Sequence, residues 1–474
     1  MNNIFIRLKT LVKNEYFILS LIVLLGLIIR LYKIESPIAD WHSWRQADTS
    51  AVSRNFVKYG INMLYPTYDD ISSIQSGIDN PKGLRMVEFP IYNAIHASVF
   101  SFIGYFNLET WGRLVSVFFS LISACFLFLI GKKVYSSRIG LIVSFFYLVI
   151  PYNIFFTRTV LPESLGVSFA LSGMYFLICF SKKENYLNLI LSGILFSLSL
   201  LIKPFFIFYL IPFIPIFWGK TKLFKKLIIF LLVTFLPLLL WRFWISHFPE
   251  GIPFFKWAFN GDRIRFHPAF FRWIFGERLG ILILGTWGLV PFFGGIIAKF
   301  KNKFSLHFIL GMLLYVIVVA TANVRHDYYQ IMTIPAISLM LSLGSVWLWK
   351  RSKIILFLSI LIMMIIGWDR IKPFYQINHP ELIEVGKIVD TLIPKDALVI
   401  APYTGDTAFL YQMNRKGWPA IDASIDNIIE RGADYYVSID LGSKDTTDFE
   451  KRFVTLQKTS KYIILDLHKE IGKK

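Results

Sequence analysis

Apolar runs of roughly 20 residues, the length needed to cross a hydrocarbon core, recur from residue 17 to residue 370 between short polar or basic segments. Their alternation predicts about eleven spans, near 17–33, 112–131, 139–157, 164–180, 187–202, 204–218, 227–245, 279–298, 305–321, 330–349 and 354–369. Only Ile202-Lys203-Pro204 parts the fifth from the sixth, and a proline there breaks the helix ladder, so a tight hairpin is expected. Past residue 375 the pattern turns soluble: helices over 380–391, 407–414 and 424–431, strands over 397–403, 435–439 and 462–466. The chain therefore reads as a membrane all-α protein with a small C-terminal α/β domain. The expected division is a polytopic domain over 1–374 and a soluble domain over 375–474.

Composition agrees with that class: 55% of residues are hydrophobic and the mean hydropathy is +0.56. A net charge of +19 would suggest nucleic acid in a soluble chain, but its distribution argues otherwise. The basic residues cluster as Arg7, Lys9, Lys13; Lys132, Lys133, Arg138; Lys182, Lys183; Lys220, Lys222, Lys225, Lys226; Lys299, Lys301, Lys303; and Lys350, Arg351, Lys353. Alternating spans put all six clusters on one side. That is the positive-inside pattern, which sets the N-terminus in the cytoplasm and the C-terminal domain outside it, as for a multi-pass protein of a bacterial inner membrane. The first span has no small-residue cleavage site and reads as a retained signal anchor. Cys125 and Cys179 lie within spans and read as packing residues, with neither a disulfide framework nor a cysteine metal site.

Two external segments are unusual. Residues 34–111 hold one apolar stretch, Ile91 to Phe106. A full span there would invert every later loop, so it reads as a helix lying in or dipping into the interface. Residues 246–278 are rich in aromatics (among them Phe254, Phe255, Phe266, Phe271 and Trp273). They read either as an aromatic belt or as a lid against lipid acyl chains.

Outside the basic clusters, ionisable residues gather at external span ends in four groups. Asp40-Trp41-His42-Ser43-Trp44-Arg45-Gln46-Ala47-Asp48 follows the first span. So dense a polar row beside a membrane is costly unless it binds or reacts with something. It reads as a carboxylate base with an Arg/His set that steers an anionic substrate, or as a solvated loop with aromatic anchors. Arg158 and Glu163 end the third span, either as an ion pair or as a phosphate grip with an orienting carboxylate. Lys203 is a snorkelling lysine or a phosphate contact. Arg325-His326-Asp327-Tyr328-Tyr329 enters the tenth span. No Asp/Glu/His set has clear metal-ligand spacing, so neither a metal nor another cofactor is required.

These groups, in this order, resemble the C-type (GT-C fold) glycosyltransferases that use polyprenyl-phosphate-linked sugars. The likeness is to the family 39 branch, akin to protein O-mannosyltransferases and to the aminoarabinose transferases of lipid A. It covers essentially the whole chain. It implies an acidic catalytic base in the first external loop, here Asp40 or Asp48, with His42, Arg45 and Gln46 beside it. Glu88-Phe89-Pro90-Ile91-Tyr92 stands where the lipid A enzymes carry Glu-Lys-Pro-Pro-Leu. Phe89 thus replaces a phosphate-binding lysine, and Arg158 and Lys203 become the expected phosphate ligands. Glu88, Glu163, Arg325, His326, Tyr328 and Tyr329 complete the expected substrate-binding set. The implied partners are a polyprenyl-phosphate sugar, a glycan, lipid or protein acceptor, and membrane lipids, with no nucleic acid. The implied reaction is an inverting transfer on the non-cytoplasmic face. A lipid-linked-glycan ligase or polymerase is the nearer rival. A polyprenyl-lipid transporter or flippase is the farther one, because it predicts mid-membrane charges and an internal repeat.

Overall fold

The computed structural model describes residues 14–217, 221–298 and 303–472. Arg7, Lys9, Lys13, Lys220, Lys299 and Lys301 of the basic clusters lie outside them. The chain forms two compact units. One comprises Met1–Ile34, Arg113–Arg242 and Phe255–Phe374, the other Glu35–Gly112, Phe243–Phe254 and Tyr375–Lys474. The expected boundary at 374/375 is thus one edge of the second unit, which also takes in the long first loop.

The first unit is helical. Among the described residues of the chain, five helices are long and apolar enough to cross a membrane: Leu108–Val134, Glu163–Lys183, Phe224–Ile245, Asp327–Trp349 and Lys353–Tyr375. Shorter apolar helices include Ser137–Val149, Tyr186–Ile202, Pro204–Phe217 and Phe304–Val318. Several expected spans are interrupted rather than continuous. Pro151, which has no N–H to donate, opens a separate short helix, Pro151–Phe156, after Ser137–Val149. Lys203 is extended (φ −147°, ψ 122°) between the helix ending at Ile202 and a 3-10 helix over Pro204–Phe213. The expected span over 279–298 is a π-helix, Arg272–Ile283, then a turn, then a helix over Leu289–Ile297. Gly285 has a positive φ of 46° in that turn, and a Cβ there would lie 2.4 Å from the carbonyl oxygen of Met363. Close approach of the backbone of Lys353–Ile371 therefore requires glycine at the break.

The second unit is built on a five-stranded sheet. Its strands are β1 (Val399–Ile400), β2 (Gly417–Trp418), β3 (Tyr435–Ser438), β4 (Phe453–Lys458) and β5 (Ile463–Glu470). Their order is β2-β1-β3-β5-β4; β1 is parallel to β2 and β3, and β5 is antiparallel to β3 and β4. Side chains alternate across the sheet. Val399, Val437 and Ile464 join one core with Leu382, Val385 and Phe409. Ile400, Tyr436 and Leu465 join the other with Trp418, Ile428 and Phe449. The first loop extends the edge: the Ile71 N–H donates to the Gly417 carbonyl (3.0 Å) and the Gly417 N–H to that of Asp69 (2.9 Å). The helix Ile91–Ile103 buries Tyr92, Asn93, His96 and Ala97, while Phe102 and Tyr105 beyond them are 90% and 81% exposed.

Candidate active site

In the second unit Arg45, Gln46 and Asp48 ride on one helix, Ser43–Tyr59, with Asp40 and His42 just before it and Glu88 beyond it. Its sequence has no apolar stripe, yet Arg45 to Ser53 is buried throughout. Buried polar groups must find partners, and the ionisable and amide groups among these do. Asp40, 4% exposed, accepts a hydrogen bond on Oδ1 from Gln46 Nε2 at 2.7 Å. Arg45 pairs with Glu88 at 2.7 Å. Asp48 accepts from the Thr407 hydroxyl on Oδ1 (2.7 Å) and pairs with Arg85 through Oδ2 (2.7 Å). Burial pushes the Asp48 carboxyl above its ordinary range, against the pull of the Arg85 guanidinium. Arg45, Asp48, Arg85, Glu88 and Asn93 line one narrow pocket.

The helix-like stretch from Thr49 to Phe56 would make Asp48 an N-cap, but the helix starts six residues before Thr49, and His42 occupies the cap position in the left-handed region (φ 57°) with no side-chain cap bond. Its carbonyl accepts from the Arg45 and Gln46 N–H groups, and its ring lies 5.3 Å from that of Trp41. Ser43 donates to Asp406 (3.0 Å), whose carboxyl is pushed up to about 6 by burial.

In the first unit, three stretches distant in sequence meet. Glu163, in the first turn of its helix, forms an ion pair with Lys203, and both side chains are nearly inaccessible. The Lys203 ammonium stands 5.0 Å from the Tyr328 ring centroid and 4.3 Å from that of Tyr329, a cation–π arrangement. The His326 ring stacks on Tyr329 at 6.4 Å and meets Trp257 edge-on at 5.5 Å. Arg325 instead pairs with Asp262 (2.7 Å) at an exposed position. Arg158 is wholly buried; it donates to the Lys33 carbonyl (2.7 Å) and lies 5.5 Å from the Phe155 ring.

Sequence reasoning missed Arg85, Thr407 and Arg278, and gave Asp327 no role of its own. Arg278 lies 3.5 Å from the Asp327 carboxylate and donates to the Val324 carbonyl (3.0 Å), and the Asp327 carbonyl accepts from the Tyr152 hydroxyl (2.6 Å). Asp327 sits inside the Arg325–Tyr329 run already singled out, so its signal was present. Thr407 gives no local signal, because its role depends on a contact with a helix hundreds of residues earlier. Among the described residues, no group of three or more His, Cys, Asp or Glu could hold a metal ion.

The family model described as dolichyl-phosphate-mannose-protein mannosyltransferase matches residues 90–244. No protein of curated function matches the chain in sequence. Solved structures match far more of it. ArnT from Cupriavidus metallidurans bound to undecaprenyl phosphate superimposes with a TM-score of 0.65 at 10% identity, covering 94% of this chain and 97% of that one. The chain has the fold of the C-type glycosyltransferases. The C-type likeness extends to the archaeal oligosaccharyltransferase AglB from Archaeoglobus fulgidus, in complex with an inhibitory peptide and a dolichol-phosphate. There the TM-score is 0.55 at 9% identity, covering 93% of this chain and 73% of that one. The resemblance carried by the Asp40, Arg158, Lys203 and His326 motifs thus holds at the level of the fold. This chain is a membrane protein with several apolar helices.

Proposed function

We propose that this protein is an inverting glycosyltransferase. It moves a sugar from a polyprenyl-phosphate donor to a hydroxyl or amine of a glycan, lipid or protein, on the non-cytoplasmic face of a bacterial inner membrane. In this reading Asp40 accepts the acceptor's proton as its oxygen or nitrogen attacks the anomeric carbon. The bond from that carbon to the phosphate oxygen breaks, and the polyprenyl phosphate departs with the electron pair. A cation at the departing phosphate is the main source of transition-state stabilisation. Lys203, oriented by Glu163 and backed by Tyr328 and Tyr329, is assigned that role. Arg158, wholly buried and bonded to a main-chain carbonyl, supports the chain there.

The observation that carries the reading is the place of Asp40, just ahead of the helix Ser43–Tyr59 with one carboxylate oxygen held by the Gln46 amide. Asp48 is clamped through both oxygens by Thr407 and Arg85, as a structural carboxylate is. The carriers named in the solved relatives, undecaprenyl phosphate and dolichol-phosphate, support a polyprenyl-phosphate donor. The test is incubation of purified protein with a panel of radiolabelled polyprenyl-phosphate sugars and membrane extract. Label should move from one donor to a larger product, and wild-type protein that moves none of them would end the proposal.

A further inference from the structure

Asp40 lies in a stretch with no helix or strand, between the helix ending at Arg30 and the one starting at Ser43. A regular hydrogen-bond ladder does not set its place. Two residues on, His42 stands in the left-handed region (φ 57°). That conformation is strained for a residue with a Cβ and persists where the surrounding structure holds it.

Side chains from the C-terminal region hold the chain on both sides of Asp40. Ahead of it, Gln412 donates through Nε2 to the carbonyl of buried Ile38 at 2.9 Å. Behind it, the Ser43 hydroxyl donates to Oδ2 of Asp406 at 3.0 Å, one residue past the strained His42. The Thr407 hydroxyl adds a bond to the Trp44 carbonyl (3.3 Å). These side chains have a firm base. Asp406 Oδ1 accepts from the Ala408 N–H (2.7 Å). The N–H groups of Tyr403 and Gly405, in the same loop, donate to the Pro419 carbonyl (3.1 and 3.2 Å). That loop follows β1, and Pro419 follows β2. Gln412 rides on the helix Ala408–Met413, whose Phe409, Leu410 and Met413 pack in the core with Val399 of β1.

We infer that Asp406 and Gln412 are positioning residues for Asp40: the C-terminal sheet grips Ile38–Ser43 at both ends and so sets where the Asp40 carboxylate stands. This rests on the proposed role of Asp40 as the base. Each residue acts through the backbone beside Asp40 rather than on the substrate. Displacing a reacting group by about 1 Å can cost about 10²-fold in rate.

The test pairs turnover with hydrogen exchange in the full chain. D406A and Q412M should each lower kcat by about tenfold or more, with the KM for the donor little changed. Added to D40N, D406A should cost nothing further, because the carboxylate it positions is already gone. Exchange of the amides over residues 38–46 should quicken in D406A and Q412M, a readout that needs no donor. R431M is the control. It breaks the pairing of Arg431 with Asp79 and Asp422, away from Asp40 in the sequence. It should lower stability but leave kcat and exchange over residues 38–46 as in wild type. Wild-type kcat or unchanged exchange in both D406A and Q412M, a further loss in D40N/D406A, or an equal loss in R431M would overturn the inference. A wild type that moves no sugar overturns the role of Asp40 instead, and the exchange then decides whether Asp406 and Gln412 hold this segment.

Discussion

Lys203 and Glu163 form a buried ion pair, with the lysine ammonium 4.3 Å from the centroid of Tyr329. Breaking one side of a buried pair strands the other charge, at a cost of about 3–5 kcal/mol. Glu163→Gln should therefore lower stability by about that much, and E163Q/K203M should recover most of it. The same variant separates structure from binding. With its carboxylate gone, Lys203 would take a donor phosphate as its counter-ion, so the donor should stabilise E163Q more than wild type. K203M should lose donor binding. If added donor shifts the unfolding midpoint of K203M as far as that of wild type, Lys203 does not hold the phosphate.

Glu163, Lys203 and Tyr328, which meet in the fold, were each legible in the sequence as a polar residue at the end of an apolar run. The break at Lys203-Pro204 was legible for the same kind of reason, a proline at a junction. The start of the helix carrying Asp48 was not, since Ser43–Tyr59 buries polar residues that lack any apolar period. The strand Gly417–Trp418 and the helix Lys444–Arg452, whose only apolar residue is Phe449, were missed likewise. In the first unit, a dihedral at Gly285 set by the backbone of a later helix splits what reads as one apolar run. Partners such as Arg85 and Thr407 emerge only once the first loop and the C-terminal sheet fold together, which local pattern does not encode.

Burial pushes the Asp70 carboxyl up to about 6, against the stabilising N–H of Ser72. A carboxylate whose folded pKa is raised binds its proton more tightly when folded. Its contribution to stability is present below the ordinary value near 3.9 and is lost as pH rises through about 6. Asp70→Asn removes that dependence. The difference in stability, variant minus wild type, should grow between about pH 4 and 6 and stay constant above, by roughly 1–3 kcal/mol. Urea unfolding of the two proteins across that range measures it. A difference independent of pH would show that Asp70 ionises normally.

The basic clusters predict that Lys182 and Lys353 face the cytoplasm and that Asp445 does not. In a background with Cys125 and Cys179 replaced by serine, a membrane-impermeant maleimide added to spheroplasts should label a cysteine at Asp445. It should leave one at Lys182 unlabelled until the membrane is opened. The opposite pattern would invert the orientation and move the proposed chemistry to the cytoplasmic face.

Asp40 and Asp48 make opposite predictions although both are buried carboxylates near one helix start. Asp40→Asn preserves size and keeps an oxygen for Gln46, but removes the proton acceptor. The protein should stay folded and bind donor, with turnover cut by about 10²-fold or more. Asp48→Asn leaves the buried Arg85 guanidinium without its counter-charge. It should destabilise by about 3–5 kcal/mol, while the fraction that remains folded turns over near normally. Arg85→Met combined with Asp48→Asn should restore part of that stability, because it removes the stranded charge, and no restoration is expected from pairing Arg85→Met with Asp40→Asn. Unfolding midpoints and single-turnover rates on the same preparations keep the two effects apart. If Asp40→Asn turns over normally and folded Asp48→Asn is inert, the base is Asp48, and its clamp by Thr407 and Arg85 belongs to the chemistry.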